Sequence, residues 1–115
     1  MTFDAFRSYC LAKKGVTEET PFGDDTLVFK VGGKMFALTG ISSFTGINLK
    51  VDPEVGVELH EQYSWVLPGY HMNKRHWITI DMMGAIKEKL LKSWIDNSYN
   101  LVVAKLPKSI RLSIL

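Results

Sequence analysis

The chain has 115 residues, of which 46% are hydrophobic and 23% charged, and its formal net charge is +2. This is the make-up of one ordinary globular domain, large enough to bury roughly two thirds of its unfolded surface without covalent staples. It excludes a membrane-spanning helix, because no apolar run reaches about 18 residues, and a single cysteine excludes both an internal disulfide and a zinc quartet.

Thr2 has the side chain of a helix N-cap, and Asp4 follows in the first turn, where the helix dipole favours an anion. Phe3, Phe6 and Cys10 recur at helical spacing, and Gly15 after Lys13 and Lys14 supplies a left-handed stop. A helix over residues 3–14 is expected. Asp4 and Arg7 also break the unbroken apolar stretch that a secretory leader needs, so a cytoplasmic, soluble protein is expected. Residues 17–23 (TEETPFG) read as a polar connection. Strands follow at 26–31 and 34–39, joined by Gly32-Gly33, a pair that tolerates the positive φ angles of a tight hairpin.

Residues 47–51 alternate apolar with polar and read as a third, half-exposed strand. Asp52, Pro53 and Glu54 then open a short helix to about residue 62, with Val55, Leu59 and Tyr63 inward and Gly56 weakening it. Residues 64–67 form a short strand before the Pro68-Gly69 turn, and 76–82 (HWITIDM) the most strongly marked late strand, ended by Gly84. From 85 to 105 apolar residues hold helical spacing through Ile86, Leu90, Trp94, Leu101 and Val102. Pro107 redirects the chain, and Ile110, Leu112, Ile114 and Leu115 leave an apolar tail to dock on the core. Strands between terminal helices predict an α+β class: an antiparallel sheet with helices on one face and the other face open, in one domain spanning residues 1–115.

Chemistry is sparse in this pattern. His71 and His76 are five apart, and an odd offset sends strand side chains to opposite faces. With no cysteine or carboxylate in the same segment, no metal is expected, and both histidines read as hydrogen-bonding loop and strand-edge residues. Cys10 reads as a buried packing residue, and Ser64 and Ser98 lack a nucleophile elbow. Gly32-Gly33-Lys34 lacks the spacing and following helix of a phosphate loop. Asp24-Asp25 and Glu18-Glu19 read as solvated, turn-capping pairs. Nothing assembles an acid, a base and an oxyanion site, so the expectation is no catalytic residue, no cofactor and no enzyme.

Charge is more informative. Residues 1–62 carry six basic side chains against nine acids, whereas residues 63–115 carry eight against three. Such a bipolar domain offers one face to an anion, or simply solvates its C-terminal helix with lysine. If Ile78 and Ile80 face the helices, Trp77, Thr79 and Asp81 face the open side, joined there by Lys30, Asn48 and Lys50. A cationic face with one aromatic platform can hold phosphates and stack a base. The alternative is that the 68–75 loop covers Trp77, which then only packs.

Three segments carry a family resemblance: YCLAKKGVTEETPFGDDTLVFKVGGKMFAL, GYHMNKRHWITI and SYNLVVAKLPKSIR. In order and spacing they resemble the MmcQ/YjbR-like family of small bacterial proteins, most specifically at His71-x-Asn73-Lys74-x-His76-Trp77 and at Ser98-Tyr99 followed by Leu106-Pro107. The resemblance implies a CyaY-like α+β fold and a DNA-binding role through two hairpin wings, here the Gly32-Gly33-Lys34 turn and the 68–75 loop. Frataxins share that fold class and bind iron through an acidic ridge near the first helix. Here that helix carries Asp4 against Arg7, Lys13 and Lys14, so iron binding is not expected.

Two readings follow. In the first, Lys34, Lys50, Lys74 and Arg75 hold DNA phosphates, weakly and with little sequence preference, and Trp77 stacks a base. In the second, a protein partner docks on the open sheet face. A monomer without membrane contact is expected in either case.

Overall fold

The structure is a computed structural model that describes residues 1–69 and 72–114. Helix α1 (Phe3–Leu11) leads into β1 (Val16–Glu19), β2 (Thr26–Val31), β3 (Lys34–Gly40) and β4 (Gly46–Lys50). Helix α2 (Pro53–Gln62), β5 (Val66–Pro68), β6 (Trp77–Asp81), α3 (Glu88–Ala104) and α4 (Lys108–Ile114) complete the chain. The six strands form one antiparallel sheet in the order β1-β2-β3-β4-β6-β5. The fold is α+β, with α1 and α3 against one face of an open sheet.

Burial explains why these segments pair as they do. Phe6, Phe29, Phe36, Ile47, Leu49, Ile80, Leu91 and Ile95 are fully buried in one cluster between sheet and helices. Ile78 and Ile80 face that core as the alternation requires; Phe3 and Leu90 pack at its margin, half-buried. Gly32 and Gly33 have φ of 59° and 78°, the left-handed region that a two-residue hairpin turn demands. A bulge where Phe29 and Lys30 of β2 face Ala37 and Met35 inserts Phe36, so Phe36 and Ala37 both reach the core.

Ser98 ties the layers together at that point. It is fully buried on α3, and its hydroxyl donates to the Phe36 carbonyl while accepting from the Lys50 amide at 2.8 Å. Among the described residues no helix is long and apolar enough to cross a membrane.

Several expectations are corrected. The stretch read as a polar connection contains β1, an edge strand paired to β2; it sets Glu18 toward the Arg7 guanidinium of α1 and Glu19 beside Lys30. Helix α1 ends at Leu11 rather than residue 14, with Lys13 leaving the helix to pair with Asp96 of α3. Val55 is exposed, because α2 turns Gly56 inward: a Cβ there would sit 3.1 Å from Val51. Helix α3 starts at Glu88, with an extended Lys87 before it; residues 84–86 are not helical, and a Cβ on Gly84 would stand 2.5 Å from Trp65. The C-terminal tail is a short helix whose Ile114 packs against Gly15; Leu115 lies outside the described residues.

Candidate nucleic-acid interface

Strand register determines which loops meet. Val31 pairs with Lys34 across the first turn, Lys50 pairs with Trp77, and Pro68 pairs with Ile78. The β2–β3 turn, the end of β4 and the β5–β6 loop therefore share one end of the sheet. The C-terminus of α3 arrives at the same end: a Cβ on Gly32 would stand 2.6 Å from the Leu106 side chain. Both elements implied as wings thus lie at this end, with the end of β4 and its Lys50 between them.

The lysines are close enough to feel one another. Burial pushes the Lys50 ammonium below its ordinary value, and the charges of Lys105 and Lys34 push it further the same way. None of these three forms an ion pair among the described residues. Lys50, Lys105, Asn73, His76 and Trp77 line a shallow recess of about 200 Å³. The Asn73 side chain is fixed by accepting from the Arg75 amide at 3.0 Å. Hydrogen bonds from the His76 amide to the Asn73 carbonyl (3.1 Å) and from the Val51 amide to the His76 carbonyl (2.8 Å) pin this loop to the end of β4.

The sequence-predicted residues divide. Lys34 and Lys50 come together. Lys74 and Arg75 are exposed on the same loop, yet they line a neighbouring groove of about 420 Å³ whose α2 wall carries Glu54 and Glu61. Trp77 stands on the open side of the sheet, as alternation requires, but it is only 7% exposed. It packs with Val28 and Leu38 under Met35 and Met72, so the stacking platform is corrected in favour of the alternative, a tryptophan covered by the 68–75 loop, and Trp77 lines the recess only as a wall. Lys30, expected on a cationic face, is paired with Glu19. His71 lies outside the described residues.

Lys105, Asn73 and His76 are the residues whose place in this recess sequence reasoning missed. The family-specific run around Asn73 and His76 was the available signal; for Lys105 spacing gives none, since its position depends on α3 running back along the sheet to Gly32. Two acids stand at the far end of the sheet. Asp81 pairs with Gly46 at the opposite end of the sheet, and Asp25 there accepts from the Ser42 amide and hydroxyl at 2.8 Å, which holds its carboxyl below the ordinary range.

Among the described residues no three His, Cys, Asp or Glu side chains converge on a metal position. Burial pushes the Cys10 thiol up to about 12, so it is a packing group at neutral pH.

Known proteins resemble the chain along most of its length. The family model described as YjbR matches residues 11–101. The uncharacterized protein YbdF of Escherichia coli O157:H7 is 45% identical over 89 residues, 76% of this chain and 73% of the relative. The uncharacterized protein YjbR of Escherichia coli K12 is 30% identical over 112 residues, 96% of this chain and 95% of the relative. The crystal structure of Deinococcus radiodurans protein DR2400, a DUF419 domain, superimposes with a TM-score of 0.91 at 41% identity, covering 98% of this chain and 87% of that one. The shared fold, the family-model match over most of the chain and the near full-length similarity lead to one conclusion: the chain belongs to the YjbR family.

Proposed function

We propose that this protein is a non-enzymatic, cytoplasmic nucleic-acid-binding module that grips phosphates with the basic end of its sheet. The observation that carries this reading is the placing of Lys34, Lys50 and Lys105 at one end of the sheet, where the charges of Lys34 and Lys105 bear on Lys50 and none of the three has a carboxylate partner among the described residues. Cations kept close at an electrostatic cost are relieved by an anion, and a phosphate chain supplies several at the spacing of neighbouring loops. Lys74 and Arg75 on the adjoining loop extend the contact. Base readout is absent from this picture, because Trp77 is covered; binding follows the backbone and depends weakly on sequence.

Fluorescence anisotropy with DNA across a salt series tests this. Three phosphates neutralised give log K a slope of roughly −2 to −3 against log salt, and removing one contacting lysine reduces it by about one. Lys34→Gln and Lys105→Gln should each do so, while Lys89→Gln, near the start of α3, should not. Charge reversal at Lys34, Lys50 and Lys105 together, in a protein still folded by circular dichroism, with affinity undiminished at low salt, would overturn the reading. A partner on the open sheet face would then be the alternative.

A further inference from the structure

We propose that the recess between Lys50, Asn73, His76 and Lys105 is a site for a phosphate monoester, the terminal phosphate of a nucleic-acid strand or of a free nucleotide, rather than for the diester backbone. This rests on the nucleic-acid reading of the same end of the sheet and specifies what enters it.

Three features of the recess argue for a monoester. Its lining is one-sided: Lys50, Lys105, Asn73, His76 and Trp77, with no acidic residue among them. Asn73 already uses its side-chain oxygen on the Arg75 amide, which leaves its Nδ2 to donate. The charge matches as well. A monoester carries about −1.5 to −2 near pH 7, against −1 for a diester, and two lysines face it here.

The third feature is size. At about 200 Å³, the shallow recess between β4, β6, the loop and the end of α3 has room for a single phosphate group. Its walls are held before any ligand arrives. The Lys50 amide is held by Ser98, Trp77 is packed under Met72, and Lys105 precedes Leu106, buried against Gly32. Such preorganisation favours specific capture over loose ionic attraction.

The test compares one short single-stranded oligonucleotide with a 5′-phosphate and with a 5′-hydroxyl, both labelled at the 3′ end, alongside a 5′-mononucleotide as competitor. The phosphorylated strand should bind roughly tenfold tighter, the gain expected from one additional charge-assisted contact set. The mononucleotide should displace it. His76→Gln, checked for unchanged melting temperature, should abolish the difference between strands while leaving most of the hydroxyl strand's affinity; Lys105→Gln should weaken both strands and narrow the difference. Equal affinity of the two strands for wild type overturns the monoester site and leaves the nucleic-acid reading intact. Binding of the mononucleotide but of neither strand keeps the site and overturns the nucleic-acid reading. Binding of none overturns both.

Discussion

Ser98→Ala probes the joint between fold and site. The hydroxyl is fully buried and serves two strands at once, donating to the Phe36 carbonyl at the β3 bulge and accepting from the Lys50 amide at 2.8 Å. Alanine keeps the helix and nearly the volume, but strands one acceptor and one donor away from water. Each unmet buried group costs about 1–3 kcal/mol, and partial relaxation at the bulge reduces the pair, so a loss of about 2–4 kcal/mol is expected. That is a large part of the roughly 5–15 kcal/mol that holds a domain together. Urea unfolding followed by circular dichroism should show a lower midpoint with an unchanged slope. Ser93→Ala, on the exposed side of the same helix, should stay within about 0.5 kcal/mol. A loss below about 0.5 kcal/mol for Ser98→Ala would refute the reasoning, because Phe36 and Lys50 would then have other partners at hand.

Ile80→Ala, at a fully buried position on the helix side of β6, should cost about 2–5 kcal/mol in the same assay. Asp96 gives a pH-dependent case. Burial pushes its carboxyl up, but hydrogen bonds from Lys13 and Tyr9 and the Lys13 charge outweigh this and hold it below its ordinary value. A lowered folded value means that the contribution is present above the unfolded pKa of about 4 and is lost as pH falls through the folded one. At a side chain 41% exposed the interaction is screened, so Asp96→Asn should cost at most about 1 kcal/mol at pH 7 and converge with wild type in thermal melts near pH 3.

What the sequence made legible follows from which forces are local. The core register of β2, β4 and β6 was readable because period-two alternation has one buried solution, and Ile78 and Ile80 take it. The hairpin was readable because two adjacent glycines meet a backbone requirement. Strand β1 was not, because Val16–Glu19 has two carboxylates and gains its place only from pairing with β2 and from Arg7 on α1. Trp77 shows the same limit in the site. Alternation assigns its face correctly, yet whether that face is wet depends on Met72, which arrives from a loop whose path the strand pattern does not encode. Lys105 belongs to the recess for an equally non-local reason, the return of α3 to Gly32.

These facts together explain why the end of the sheet, and not its open face, is where an anion would be held. Alternation sets two lysines on that face, Lys30 and Lys50. Lys30 is neutralised by Glu19, and the middle of the face is closed by Val28, Leu38 and Trp77 beneath two methionines. Lys50 escapes both fates because it is the last residue of β4, where the ladder ends and loops from three other elements converge. A modest net charge is sufficient there. The protein has only +2 overall, but Asp25 and Asp81 stand at the far end of the strands while Lys34, Lys50 and Lys105 crowd the near one. Field strength at a site depends on the local arrangement of charges more than on their sum, so a net charge of +2 does not weigh against an anion at this end.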